Sequence, residues 1–208
     1  MNDTQPDQAV EPKLASEVAE RFELSDDARA LLAPDHTPSA YFALLGRREL
    51  YRDAFAFAAH YLPRRKAIWW GCLCAWELFR NDVPAGEESP LAAVVGWVRQ
   101  PSEENRRRAY ETARDAARPS VSANLAMAVF SADGSLSKPD GPHVDPKPHQ
   151  AARFVTAAVV LAGQLAPREQ RKQFQHHFLE FAVELSRDGA PWEQAAEENE
   201  DAASAVAT

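Results

Sequence analysis

Apolar residues recur at steps of three and four along most of the chain, and no stretch alternates long enough to predict a strand. The densest stretch is 64–81, RRKAIWWGCLCAWELFRN. Ile68, Trp69, Cys72, Leu73, Trp76 and Phe79 share one helical face there, while Trp70, Cys74 and Leu78 fall on others. A helix apolar on most of its circumference must be buried on most of its circumference. It would be about 27 Å long, with Arg64, Arg65 and Lys66 at one end and Glu77 and Arg80 at the other. Those charges predict the centre of a soluble helical domain rather than a membrane span.

The remaining elements follow from caps and breakers. Leu14, Val18 and Phe22 give a short amphipathic helix over 13–22, and Ser25 caps a second that runs through Leu31 and Leu32 and stops before Pro34. Thr37-Pro38 starts a helical stretch reaching Pro63, which Gly46 divides or kinks. The short connection at Pro63 predicts that this stretch lies antiparallel against the tryptophan helix. Ser89-Pro90 opens a helix over 91–99, and a polar, peripheral helix covers 103–117. Ser120 or Ser122 opens the next, and 131–148 is one long proline- and glycine-rich loop, a length that is usually functional or mobile. An apolar helix over 150–165 and a last helix from Pro167, with Phe174, Phe178, Phe181 and Leu185 in one stripe, complete the set. No signature repeats at a fixed period, so the pattern predicts an all-α single globular bundle of about eight to ten helices in antiparallel hairpins rather than a solenoid. It extends over 13–192, between a disordered arm at 1–12 and a disordered acidic tail at 193–208.

Charge and cysteine content narrow the class. With 31 acids against 23 bases the net charge is −8, which disfavours general binding to nucleic-acid phosphates. Cys72 and Cys74, about 200° apart on a helix, cannot easily pair with each other and read as buried thiols in a reducing cytoplasm. The polar, acidic N-terminus reads as no secretory signal, so a cytoplasmic location without membrane attachment is expected.

Catalytic and metal motifs are weak. A zinc site could be built from His143, His149, His176 and His177 with Asp140 or Asp145, but their spacing matches no metal motif. No cofactor is expected. Gly46-Arg47-Arg48 and Arg106-Arg107-Arg108 sit in or beside helices with neighbouring acids and read as solvated faces. Adjacent Trp69 and Trp70 cannot face the same way. Either both are buried between layers or one reaches a groove, where tryptophan serves as a partner anchor. Tyr41, Tyr51 and Arg52 are the other residues expected near such a protein-binding groove.

One segment carries a resemblance. Tyr41-Phe42, Leu44-Leu45, Glu49-Leu50-Tyr51, Asp53-Ala54, His60, Leu62-Pro63, Arg65, Ala67, Trp69-Trp70 and Cys72 together resemble a functionally uncharacterised family of small helical bacterial proteins. Members of that family occur near type VI secretion genes, beside those for spike, tip and effector-loading proteins. The family assigns these residues no catalytic role. The resemblance implies an accessory or adaptor whose partner is a secretion spike, tip or effector component. The expectation is therefore a non-enzymatic interaction protein. The alternatives are a metal-dependent hydrolase using the loop histidines and an immunity protein whose acidic surface neutralises a basic toxin.

Overall fold

Side-chain caps set where several helices begin. The computed structural model describes residues 12–80, 82–114 and 120–187, and among these the chain forms ten helices and no strand. Helix α1 (Ala15–Ala19) is followed by α2 (Asp26–Ala30), whose Ser25 cap accepts the Ala28 N–H at 3.2 Å. Thr37 does the same for α3 (Pro38–Arg47) through the Ala40 N–H at 3.3 Å. Helix α4 (Tyr51–Tyr61) leads into α5 (Arg64–Phe79), then α6 (Glu88–Arg99) and α7 (Glu103–Arg114). Ser120 caps α8 (Val121–Phe130), whose Val121 and Ser122 N–H groups also donate to the buried Glu87 carboxylate at 3.3 and 2.7 Å. That carboxylate sits where the helix dipole favours it. After the long loop come α9 (Gln150–Leu165) and α10 (Arg171–Arg187). The expected arm and tail lie outside the described residues, apart from Pro12.

Helix α5 is the predicted hub: Ala67 to Cys72, Cys74 and Ala75 are buried, and the helix packs against α4, α6, α8, α9 and α10. It shares that role with α9, which touches α4, α5, α8 and α10, and α8 against α9 is the most extensive pairing in the bundle. The hairpin expected at Pro63 is a minor contact. Leu62 and Pro63 are both extended (ψ 143° and 141°), which turns the chain so that α4 and α5 each pack chiefly on α9. Two glycines act through the space they leave. A Cβ on Gly71 would lie 2.3 Å from Leu125 Cδ2, so its absence lets α5 and α8 approach. Gly46 stays inside α3, where a Cβ would come 3.1 Å from Leu179 Cδ1. The expected division falls just beyond it, at Arg48 to Leu50, where Glu49 takes a left-handed φ of 57°.

The arginine run in α7 corrects the solvated-face expectation. Arg106 is only 2% exposed. Its guanidinium forks onto Glu103 (Nε to Oε2 2.6 Å, Nη2 to Oε1 2.8 Å) and donates to the Phe130 and Ser135 carbonyls at 2.6 and 2.9 Å. It also lies 4.8 Å above the Phe130 ring. Arg107 reaches the Ser135 and Ser137 carbonyls, and Arg108 alone of the three projects into solvent. The 131–148 loop is therefore an organised element. Arg106 and Arg107 hold its first half, and its halves join through Leu136 N–H to Val144 O (2.8 Å) and Val144 N–H to Ser135 Oγ (3.0 Å).

Candidate functional site

The interior takes three of the five residues expected at a partner groove. Tyr41 is fully buried and donates its hydroxyl to Ala28 O at 2.7 Å. Trp70 is fully buried with Nε1 donating to Phe178 O at 2.7 Å, and Trp69 packs edge-on against Trp76 at 5.1 Å. Both tryptophans lie between layers because neighbours cover α5 on nearly every side, so neither they nor Tyr41 line a groove. Tyr51 is half-buried beside Phe55, and Arg52 is exposed. Among the described residues the exposed large apolar side chains, Leu14, Val144 and Leu165, lie on separate elements.

The four C-terminal histidines stay apart. His143 Nε2 meets Asp145 Oδ1 at 2.8 Å, His177 Nδ1 meets Glu77 Oε1 at 3.1 Å, and His176 lies 3.9 Å from Glu180. Among the described residues no three histidine, cysteine or acidic side chains converge as metal ligands do. Burial pushes the Cys72 and Cys74 thiols well above their ordinary range, which keeps them protonated and poor nucleophiles.

A different histidine stands at the surface feature of most interest. Two clefts, of about 510 and 550 Å³, both have His60 in their walls. The first lies between α4, the start of α5, the loop and the N-terminus of α9, and Arg21, Arg64, Lys147 and His149 line it. The second lies between Phe22 to Ser25, α4 and α9, and includes Arg52 and Arg153. Helix α4 is buried from Asp53 to His60, which seats the imidazole beneath the protein surface; it is 5% exposed. Its Nδ1 lies 2.8 Å from Ala56 O. A carbonyl only accepts, so Nδ1 carries the proton and Nε2 is a bare acceptor. Nε2 is shielded from solvent and has no hydrogen-bond partner. The ring stacks on Phe22 at 4.9 Å and stands 5.9 Å from the His149 ring. Arg21 Nη1 donates to the His60 carbonyl at 2.9 Å.

Burial, and then repulsion from His149, Arg153 and Arg21, push His60 down to about 4 from its usual 6.5, against the opposing pull of its bond to Ala56. Burial and the two arginines lower His149 as well. Between about pH 6.5 and 4 the unfolded chain therefore binds a proton that native His60 refuses, so stability falls as pH falls across that window. The expected loss is about 2–3 kcal/mol from pH 7 to pH 4 for this group. Urea unfolding at half-unit pH steps measures it, and the slope should flatten in a His60→Phe variant, which keeps the stack on Phe22.

The acids in the two cleft walls are engaged locally. Asp53 accepts the Ser25 N–H and hydroxyl at 2.8 and 2.9 Å, Asp133 accepts the Gly134 N–H at 2.8 Å, and Asp145 meets His143. Glu23 is exposed at the edge of the second cleft. None of this was apparent in the sequence. His60 lies in an alanine-rich helical stripe and looks like any amphipathic position; only its place between two clefts distinguishes it.

A family model matches residues 41–186, and the chain belongs to that family, DUF6931, a family of unknown function. The match links the chain to no secretion system. No curated protein and no solved structure matches the chain. No helix among the described residues is long and apolar enough to cross a membrane.

Proposed function

We propose that this chain is a non-enzymatic recognition protein that holds a segment of another protein in the two clefts meeting at His60. The observation that carries this reading is the imidazole itself. His60 is a lining residue of both clefts, and its Nε2 is a buried acceptor without a donor, an arrangement that costs about 1–3 kcal/mol and marks this wall as more than packing. Clefts of several hundred Å³ with a few polar groups suit ligand capture, and the organised loop forms one rim.

An accessory role in type VI secretion, in spike assembly or effector loading, is the narrower form of this proposal and rests on the resemblance alone. The hydrolase alternative finds His143, His176 and His177 on three separate partners. The immunity-protein alternative requires an acidic docking face for a basic toxin, whereas the residues flanking His60 and His149 are the cations Arg21 and Arg153.

The test is site-specific photo-crosslinking in the native host, with the reactive residue placed at Arg52 or Ala152 beside the clefts and at the exposed Glu184 of α10 as control. One protein recovered from both cleft positions and not from the control is the expected result. No cleft-specific adduct would overturn the reading.

A further inference from the structure

Residues 12–32 are fastened to the rest of the bundle at a few points, and His60 is one of them. Helices α1 and α2 have five residues each, too few to hold their own turns in water, so they depend on what they touch. Helix α1 packs chiefly on α3 and α4. The polar anchors of the segment are the Ala15 N–H on His36 O at 2.8 Å, the Ser25 N–H and hydroxyl on Asp53 at 2.8 and 2.9 Å, and Ala28 O under the Tyr41 hydroxyl at 2.7 Å. The last anchor is the imidazole. Phe22 stacks on it at 4.9 Å and meets Phe57 edge-on at 6.5 Å, while Arg21 Nη1 donates to the His60 carbonyl at 2.9 Å.

That ring is a poor place for a proton. Its Nδ1–H is spent on Ala56 O, and Nε2 is sealed from solvent with no partner. A proton bound there would meet neither an acceptor nor water. The charges that act on the ring come from each element around it and share one sign: Arg21 before α2, His149 at the end of the loop and Arg153 in α9. Arg64 and Lys147 in the first cleft and Arg52 in the second add cations to the same walls. The acids there are engaged elsewhere or face water: Asp53 holds Ser25, Asp133 the Gly134 N–H and Asp145 His143, and Glu23 is exposed. Stacking on Phe22 returns only part of the cost of a charged ring. Charge therefore requires that a covering element lift away and admit water. Helix α9, which carries Arg153 behind His149, is packed against four helices; residues 12–32 are the weakly anchored cover. We infer that protonation of His60 releases residues 12–32 from α3 and α4 while the other helices stay packed. Arg21 lines the first cleft and Phe22 to Ser25 the second, so release removes one wall from each. The inference does not depend on what the clefts hold.

The experiment follows amide hydrogen exchange of the full chain at about pH 7.5 and 5.0, with and without low urea, corrected for the intrinsic pH dependence of exchange. The reporters are the Ala15, Ser25 and Arg29 N–H groups, bonded to His36 O, Asp53 Oδ1 and Ser25 O, and the references are amides of α8 and α9. Full return of the imidazole to its ordinary pKa on opening sets a ceiling of about thirtyfold on the rise in the reporters' opening constant, and a rise of about tenfold or more is expected. Their urea dependence should be weak, the mark of local opening, whereas the α8 and α9 amides should open more rarely and with the full urea dependence of global unfolding. His60→Phe should abolish the reporters' rise. Asp53→Asn, which alters the other titratable anchor, should preserve it. The ring ¹⁵N signals of His60 need no variant: in the wild-type chain their titration should follow the same curve as the release. One shared opening constant and urea dependence for reporters and references would overturn the inference. So would a rise that survives His60→Phe or disappears in Asp53→Asn, opening confined to the loop end at 145–149, or an imidazole that takes its proton while the reporters stay protected.

Discussion

Trp70→Ala should cost about 3–5 kcal/mol of folding stability, measured by urea unfolding followed by far-ultraviolet circular dichroism. Trp70 is fully buried, its ring meets Phe55 edge-on at 6.1 Å, and its indole N–H donates to Phe178 O at 2.7 Å. Truncation removes the contacts that join α4, α5 and α10 and leaves a cavity in a close-packed interior. A domain of ordinary stability, about 5–15 kcal/mol, would be left near its threshold. Trp70→Phe separates the two contributions. It keeps most of the ring volume and loses the hydrogen bond, so about 1–3 kcal/mol is expected. A loss below about 1 kcal/mol for Trp70→Ala would mean that this side chain does not organise the bundle.

Arg106→Met should cost about 3–4 kcal/mol and loosen the loop it holds. The guanidinium is buried, pairs with Glu103 and satisfies the Phe130 and Ser135 carbonyls. Methionine fills some of the volume but leaves both carbonyls without that donor. Glu103 itself is largely exposed, which keeps the expected loss below the upper range for a buried pair. Arg106→Lys should recover only part of it, because an ammonium cannot reproduce the fork onto one carboxylate while reaching two carbonyls. Two residues along, Arg108→Met should change stability by less than about 0.5 kcal/mol, since that arginine and its partner Glu104 are both exposed. Hydrogen exchange supplies the local readout: amide protection across 131–144, including the Leu136 N–H, should collapse in Arg106→Met and persist in Arg108→Met. Equal effects in the two variants would refute the assignment.

The contrast between Arg106 and Arg108 shows what the linear pattern could not carry. Three consecutive arginines beside two glutamates look alike in sequence, and helical geometry turns them about 100° apart, so one faces inward. Which one became clear only when the loop after α8 was seen folded over α7. His60 went unrecognised for the same reason. Its partner within α4 is local, but the clefts on either side are walled by Phe22, Arg21, His149 and Arg153, as many as 93 positions distant. Tyr41 is expected near a groove, and for Trp69 and Trp70 the sequence leaves interior and groove open, because aromatic residues serve both. Burial decided for the interior.

By itself the sequence determined the helical class, most of the helix starts and the tryptophan-rich helix at the centre. Those depend on short-range physics: a 3.6-residue period, serine and threonine caps such as Ser25, Thr37 and Ser120, and proline's missing N–H. The tertiary structure alone decided that α9 shares the centre, that Gly71 lets α5 and α8 close together, and that Arg106 fastens the loop. It also decided that an unpartnered imidazole stands where two clefts meet. Each of these depends on groups far apart in the chain being brought within a few ångströms, and no local pattern of apolar and polar residues encodes that distance.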